Sequence, residues 1–195
     1  MIVERLFQWR IEEHNKHKRE KDVVWVIDLI YCPLKPKYET KYPILSEANC
    51  YDPYTMQGLL VHVGLEKLLE EWFNAKTEAE AERSLGNKRI RGRIDALLEN
   101  SRIGIEIKTA KADSYIPYEH HIEQAKTYNW LSNLDKTILV YITPERVAEY
   151  EIAKSYSDAE IRNMLNSLKT PKYDWECSYC SYSLICPNKV SKKQR

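Results

Sequence analysis

Apolar and polar positions change period several times along the chain, and each change predicts an element. From residue 2 to about 20, apolar and charged residues mix as in a helix, and a short apolar run, VVWVIDLI, follows within 23–30. The segment YCPLKPKYETKYPIL carries Pro33, Pro36 and Pro43, each removing a backbone donor and restricting the residue before it, so regular structure is expected to end there. Residues 54–73 repeat apolar positions at spacings of three and four, which predicts an amphipathic helix containing His62. Residues 76–83 read as a loop or a helical continuation, and Gly86-Asn87 as a turn.

Beyond that turn the period drops to two. Ile90, Gly92, Ile94 and Ala96 alternate with Arg91, Arg93 and Asp95, then Ile103, Ile105 and Ile107 alternate with Glu106 and Lys108, predicting two strands joined near Asn100-Ser101. Residues 118–133 read as a helix, 136–144 as a buried strand ended by proline, about 157–169 as a charged helix, and the end from KVSKKQR as frayed. This order predicts a mixed α/β core. The expected organisation is an N-terminal helical segment over 1–50, a core over 51–170 and a cysteine-bearing module over 171–195.

Composition narrows this picture a little. A chain of 195 residues suits one main domain, and 30 Lys plus Arg against 29 Asp plus Glu give a net charge of +1, so any nucleic-acid affinity must come from a local patch. No apolar run has the length of a membrane span or the form of a signal peptide, so a soluble, cytoplasmic protein without membrane contact is expected. Lys88, Arg89, Arg91 and Arg93 supply such a patch beside Asp95, suited to phosphate or simply a solvated edge.

A hairpin centred on Asn100-Ser101 places Asp95 opposite Glu106. Their β-carbons would lie roughly 4.5–5.5 Å apart, where two carboxylates repel unless a cation sits between them. Lys108 projects from the same face, about 6.6 Å along the strand from Glu106. Two acids and one ammonium suit a hard divalent ion, Mg2+ or Mn2+, with a water oriented for attack on a phosphodiester. The same Glu-x-Lys pair also occurs on solvated strands. His62 by itself reads as a half-buried histidine or as a ligand, and Gln124 and Tyr128 share one helix face.

In order and spacing, His62, GRIDAL with Asp95, EIK with Glu106 and Lys108, and QAKTY with Gln124 and Tyr128 resemble the RecB-like branch of the PD-(D/E)xK nucleases. With Cys32-Pro33 and CSYCSYSLICP at 177–187, nearly the whole chain is similar to the CRISPR-associated iron-sulfur exonucleases. The resemblance implies a restriction-endonuclease-like mixed sheet flanked by helices. It implies that His62, Asp95, Glu106 and the carbonyl of Ile107 bind the ion, that Lys108 positions water, and that Gln124 and Tyr128 support substrate or the metal shell. Ile94 stands where the family name has proline. The implied activity is an exonuclease on single-stranded DNA that prepares fragments for CRISPR arrays beside adaptation proteins such as the integrase. A non-catalytic DNA-end scaffold and a repair or replication nuclease are the competing readings.

Five cysteines in a reducing compartment point to metal binding or catalysis rather than disulfides. Cys177, Cys180 and Cys186 crowd into one loop, and Cys32 makes a fourth; four thiolates can hold zinc or an iron-sulfur cluster, and spacing alone does not separate them. The resemblance implies iron and sulfur, 4Fe-4S rather than 2Fe-2S, in a module joining the N- and C-terminal segments. Cys50 is expected to be an ordinary thiol.

Overall fold

The computed structural model describes residues 1–16, 19–20 and 22–190. Its helices are α1 (Ile2–Lys16), α2 (Val26–Ile30), α3 (Lys35–Lys41), α4 (Pro43–Ala48), α5 (Pro53–Phe73), α6 (Glu119–Ser132), α7 (Asp158–Asn166) and α8 (Glu176–Tyr179). Its strands are β1 (Val23–Trp25), β2 (Lys76–Leu85), β3 (Lys88–Leu98), β4 (Ile103–Thr109), β5 (Lys136–Ile142) and β6 (Val147–Ile152). The frayed end expected beyond Val190, and part of the first helix's expected end, lie outside the described residues. No helix among the described residues is long and apolar enough to cross a membrane.

The chain divides into two compact units, the first of Met1–Lys21, Tyr31–Gln57 and Ser167–Arg195, the second of Asp22–Ile30 and Gly58–Asn166. In the first unit the prolines begin helices instead of ending structure. Pro36 and Pro43 occupy the first turns of α3 and α4, where the missing N–H has no helical partner to lose and the fixed φ suits the helix. Aromatic rings hold this unit: Phe7 lies 5.3 Å from Tyr51, and Tyr38 stacks at 5.5 Å on the fully buried Tyr182.

The second unit is a six-stranded mixed sheet in the order β1-β3-β4-β5-β6, with β2 on the remaining edge of β3. β1 runs parallel to β3 and β4 parallel to β5; the other pairs are antiparallel. Val61, Leu65 and Leu69 of α5 pack on Ala96, Ile105, Ile107 and Val140. Ala125 and Ile122 of α6 pack on Leu139 and Tyr141, whose register partners are Glu106 and Lys108. Helices therefore cover both faces, and β4 is central and buried on both sides, as parallel pairing requires. Glu106 is 1% exposed, so the solvated-strand reading of its Glu-x-Lys pair does not hold.

Residues 76–83 form most of β2 rather than a loop or helix. The run EAEAER favours a helix by propensity, but its period-two register against β3 sets Glu82 against Arg91 at 2.7 Å and Glu78 beside Arg93 at 2.5 Å, and pairing outweighs propensity. The hairpin turns at Gly86, whose φ of 68° belongs to the region glycine favours. β6, which the sequence reading passed over, adds an antiparallel edge to β5.

Gly92 lets α6 and α2 approach the sheet. A β-carbon there would stand 2.5 Å from the Tyr128 ring, 2.8 Å from Val26 and 2.9 Å from Leu131. Gly92→Ala is expected to destabilise the fold by about 1–3 kcal/mol through overpacking, read as a lower urea midpoint at unchanged slope.

Candidate active site

One edge of β3 is shared. β1 pairs with Arg89–Arg91 and β4 with Ala96–Leu98, so along residues 92–95 that edge has no strand partner and the sheet opens into a fork. The hairpin register matches the expectation that placed Asp95 opposite Glu106, since Ala96 pairs with Ile105, but the ladder stops one step short of them. Side chains complete the hydrogen bonding that the ladder leaves. The Ile107 N–H donates to Asp95 Oδ2 at 2.7 Å, and the Tyr128 hydroxyl donates to the Arg93 carbonyl at 2.8 Å. Gln124 Nε2 donates in turn to the Tyr128 hydroxyl oxygen at 3.4 Å. In a strand the N–H and C=O of one residue leave from the same edge, so the Ile107 carbonyl also faces the fork.

His62, on α5, brings Nδ1 to 3.4 Å from Asp95 Oδ2. Lys108 Nζ donates to Glu106 Oε2 at 2.7 Å. All the residues proposed from sequence for this site thus lie in the second unit: His62, Asp95, Glu106, Ile107 and Lys108 around the fork, and Gln124 and Tyr128 behind it. Tyr128 is 3% exposed, so its position is that of a brace under the site. The structure adds Glu66, which sequence reasoning missed. It lies one helical turn beyond His62, with Oε1 4.0 Å from His62 Nδ1, and one ligand atom each of His62, Glu66 and Asp95 fall within 4.8 Å of one another. The available signal was an acid four residues after the histidine, on the same helix face.

Electrostatics in the fork are poised for a cation. Burial raises Glu106 first and the Asp95 carboxylate adds to it, against the Lys108 ammonium, and the result is a carboxyl pushed up to about 7. Glu66 also rises to about 7, by burial and then the charges of Glu78 and Asp95. Burial opposes ionisation of Asp95 as well, but the His62 bond, Lys108 and the Ile107 N–H outweigh it and hold Asp95 below the ordinary carboxylate range. Burial likewise disfavours charged His62, yet its bond to Asp95 raises it overall. Glu106 Oε1 and Glu66 Oε1 are buried without a hydrogen-bond partner.

The folded state therefore keeps a proton on Glu106 that the unfolded chain releases near 4.5. A raised carboxyl pKa contributes stability in full below the unfolded value and loses it as pH climbs to the folded one. In EDTA, the melting temperature is expected to fall between pH 4.5 and about 7 as both Glu106 and Glu66 ionise, and Glu106→Gln to remove the Glu106 share of that slope while the Glu66 share remains. An equal slope in the variant would assign it elsewhere.

The arginines expected to meet phosphate are already engaged by acids. Arg91 and Arg89 pair with Glu82 at 2.7 and 3.4 Å, and Arg93 with Glu78 at 2.5 Å.

Over 202 aligned residues, 98% of this chain and 100% of the relative, the sequence is 41% identical to the CRISPR-associated exonuclease Cas4 of Saccharolobus solfataricus. The chain belongs to the Cas4 family of CRISPR-associated exonucleases. The crystal structure of SSO0001 superposes with a TM-score of 0.92 at 41% identity, covering 98% of each chain. An alkaline exonuclease from Laribacter hongkongensis, 11% identical, shares the fold at a TM-score of 0.50 over 83% of this chain and 87% of that one. No family model matches the chain. Cas4 membership accounts for the PD-(D/E)xK-like arrangement of β3, β4 and α6.

In this Cas4-family chain the cysteines of the first unit also converge. Cys32, Cys177, Cys180 and Cys186 line one cavity of about 240 Å³ with Tyr31, Tyr38, Trp175 and Tyr179. All four are free thiols, and burial pushes Cys32 and Cys180 up from the ordinary thiol value. Cys50 is buried elsewhere and does not line the cavity.

Proposed function

We propose that this chain is a divalent-metal-dependent deoxyribonuclease that shortens single-stranded DNA from its ends and prepares fragments for insertion into CRISPR arrays, working beside other adaptation proteins such as the integrase. The carrying observation is the fork: Asp95, Glu106 and Lys108 converge there, and a buried Glu106 oxygen has no protein partner. Carboxylates with one imidazole suit Mn2+ or Mg2+. Asp95, Glu106 and the Ile107 carbonyl would hold the ion, with His62, and Glu66 directly or through water. When bound, it polarises the phosphodiester and lowers the pKa of water.

The chain's own groups do the rest. Asp95 draws His62 into place while fixing the Ile107 backbone. Lys108, whose ammonium stands 2.7 Å from Glu106 Oε2, would hold the attacking water and keep a positive charge beside the phosphate. Tyr128, braced by Gln124, keeps the fork open by satisfying the Arg93 carbonyl. Single-strand preference and the pathway are carried over from the family.

The four cysteines that line one cavity support reading it as the seat of an iron-sulfur cluster, of the 4Fe-4S kind by resemblance to the family, since four thiolates can hold one. Such a cluster would tie residues 31–57 to 167–190 and act as a structural clasp.

A time course on end-labelled single- and double-stranded DNA with Mn2+, Mg2+ or EDTA tests the reading. Expected are stepwise shortening of the single strand with metal only, and a drop of about 10²- to 10⁴-fold in Lys108→Ala without loss of DNA binding. Wild-type protein that grips DNA ends but cleaves nothing with either ion would establish the scaffold reading instead.

A further inference from the structure

Cys32 is far in sequence from the cysteines it joins, so something besides chain connectivity must place it. Glu176, the residue before Cys177, reaches across: its Oε2 accepts the Cys32 N–H at 2.8 Å over a separation of 144 residues. Its Oε1 accepts the Tyr173 N–H at 3.0 Å while its own N–H donates to the Tyr173 carbonyl at 3.0 Å. This reciprocal pair fixes the Glu176 side chain before Cys32 is considered. On the other side, the Lys35 N–H donates to the Cys32 carbonyl at 3.0 Å. Both backbone polar groups of Cys32 are thus held by protein. Trp175, packed 5.7 Å from Tyr173 and 6.3 Å from Tyr31, adds an aromatic wall next to the carboxylate.

We propose that Glu176 is the positioning residue of the cysteine cavity: it sets Cys32 against the C-terminal cysteines, and its negative charge disfavours reduction of the cofactor they hold. The proposal rests on the iron-sulfur reading of that cavity. Hydrogen bonds to cluster and ligand sulfurs, together with nearby charge, set the potential of such centres. Here the Cys32 N–H is taken by the carboxylate and so withheld from sulfur, and an anion lines the cavity. Both effects resist adding an electron, which suits a clasp that must stay in one state. Lys35 lines the same cavity with the opposite charge and supplies the control.

The test uses the full chain purified without oxygen. Glu176→Gln keeps the shape and one acceptor oxygen but loses the charge, so the cluster should load and its midpoint potential should shift positive. Lys35→Met should shift it negative. Glu176→Ala loses charge and acceptors, so iron release to a chelator should also speed up by about 10- to 100-fold, the usual cost of removing an outer partner of a metal ligand. Wild-type potential in Glu176→Gln, with release from Glu176→Ala no faster than wild type, overturns the proposal. If Glu176→Ala does not fold, the Glu176→Gln potential decides by itself. Should the wild-type protein hold zinc and no inorganic sulfide, the iron-sulfur reading fails separately. The claim on the potential then falls with it, and zinc release from Glu176→Ala decides the positioning claim.

Discussion

Asp95→Asn is expected to lose DNA cleavage by about 10³-fold or more, the scale of removing the charge stabilisation a bound ion provides, while melting close to the wild type. The amide oxygen can still accept the Ile107 N–H, so the fork keeps its brace, but the charge facing Glu106 and His62 is gone. Asp95→Ala removes the acceptor too and should lose stability as well, because a buried N–H is left unpaired at a cost of about 1–3 kcal/mol. Cleavage rates of the two variants with Mn2+ and Mg2+, beside their thermal melts, separate chemistry from support. An Asn variant within tenfold of wild-type cleavage would remove Asp95 from the metal site.

Cys180→Ser is expected to discharge the proposed cluster and prevent the first unit from folding cooperatively. Structural zinc in small finger peptides contributes roughly 10–16 kcal/mol, as much as the whole stability of an ordinary domain, about 5–15 kcal/mol, and a cluster that likewise exists only in the folded unit acts in the same direction. The wild-type protein should be brown, with visible absorption that bleaches on reduction and with iron and sulfide in equal amounts; the variant should be colourless and its residues 31–57 and 167–190 open to protease. Cys50→Ala, outside the cavity, should keep the colour. Colourless wild-type protein with one zinc would assign the cavity to that ion, and a Cys180→Ser melt matching the wild type would remove its structural role.

The parts of this structure legible in the sequence are those decided over short distances. The β3–β4 hairpin follows from alternation on either side of a polar turn, and that alternation alone sets Asp95 opposite Glu106. His62 and the Gln124–Tyr128 pair came from motif order, and the helices over 53–73 and 119–132 from their period. What escaped depends on distant partners. EAEAER becomes β2 because β3 offers it Arg91 and Arg93, and nothing inside the run says so. Glu106 is buried because β5 pairs in parallel beyond it and α6 covers that face. Pro36 and Pro43 open helices because the chain has room to restart after each of them. Glu66 is one acid among several on α5, and only the fold selects it by setting Asp95 nearby.

The two centres also differ in when they can come into being. The acids of the fork belong to one hairpin, whose short closure costs little entropy, so they can meet soon after residue 109 leaves the ribosome. Cys32 emerges early and then waits, beside an aromatic shell still lacking Trp175 and Tyr179, until translation has passed Cys186. On the iron-sulfur reading proposed above, loading of the cluster is therefore a late event in the life of the polypeptide, and shortage of iron during synthesis would leave behind chains with an assembled acid pair and an open cage.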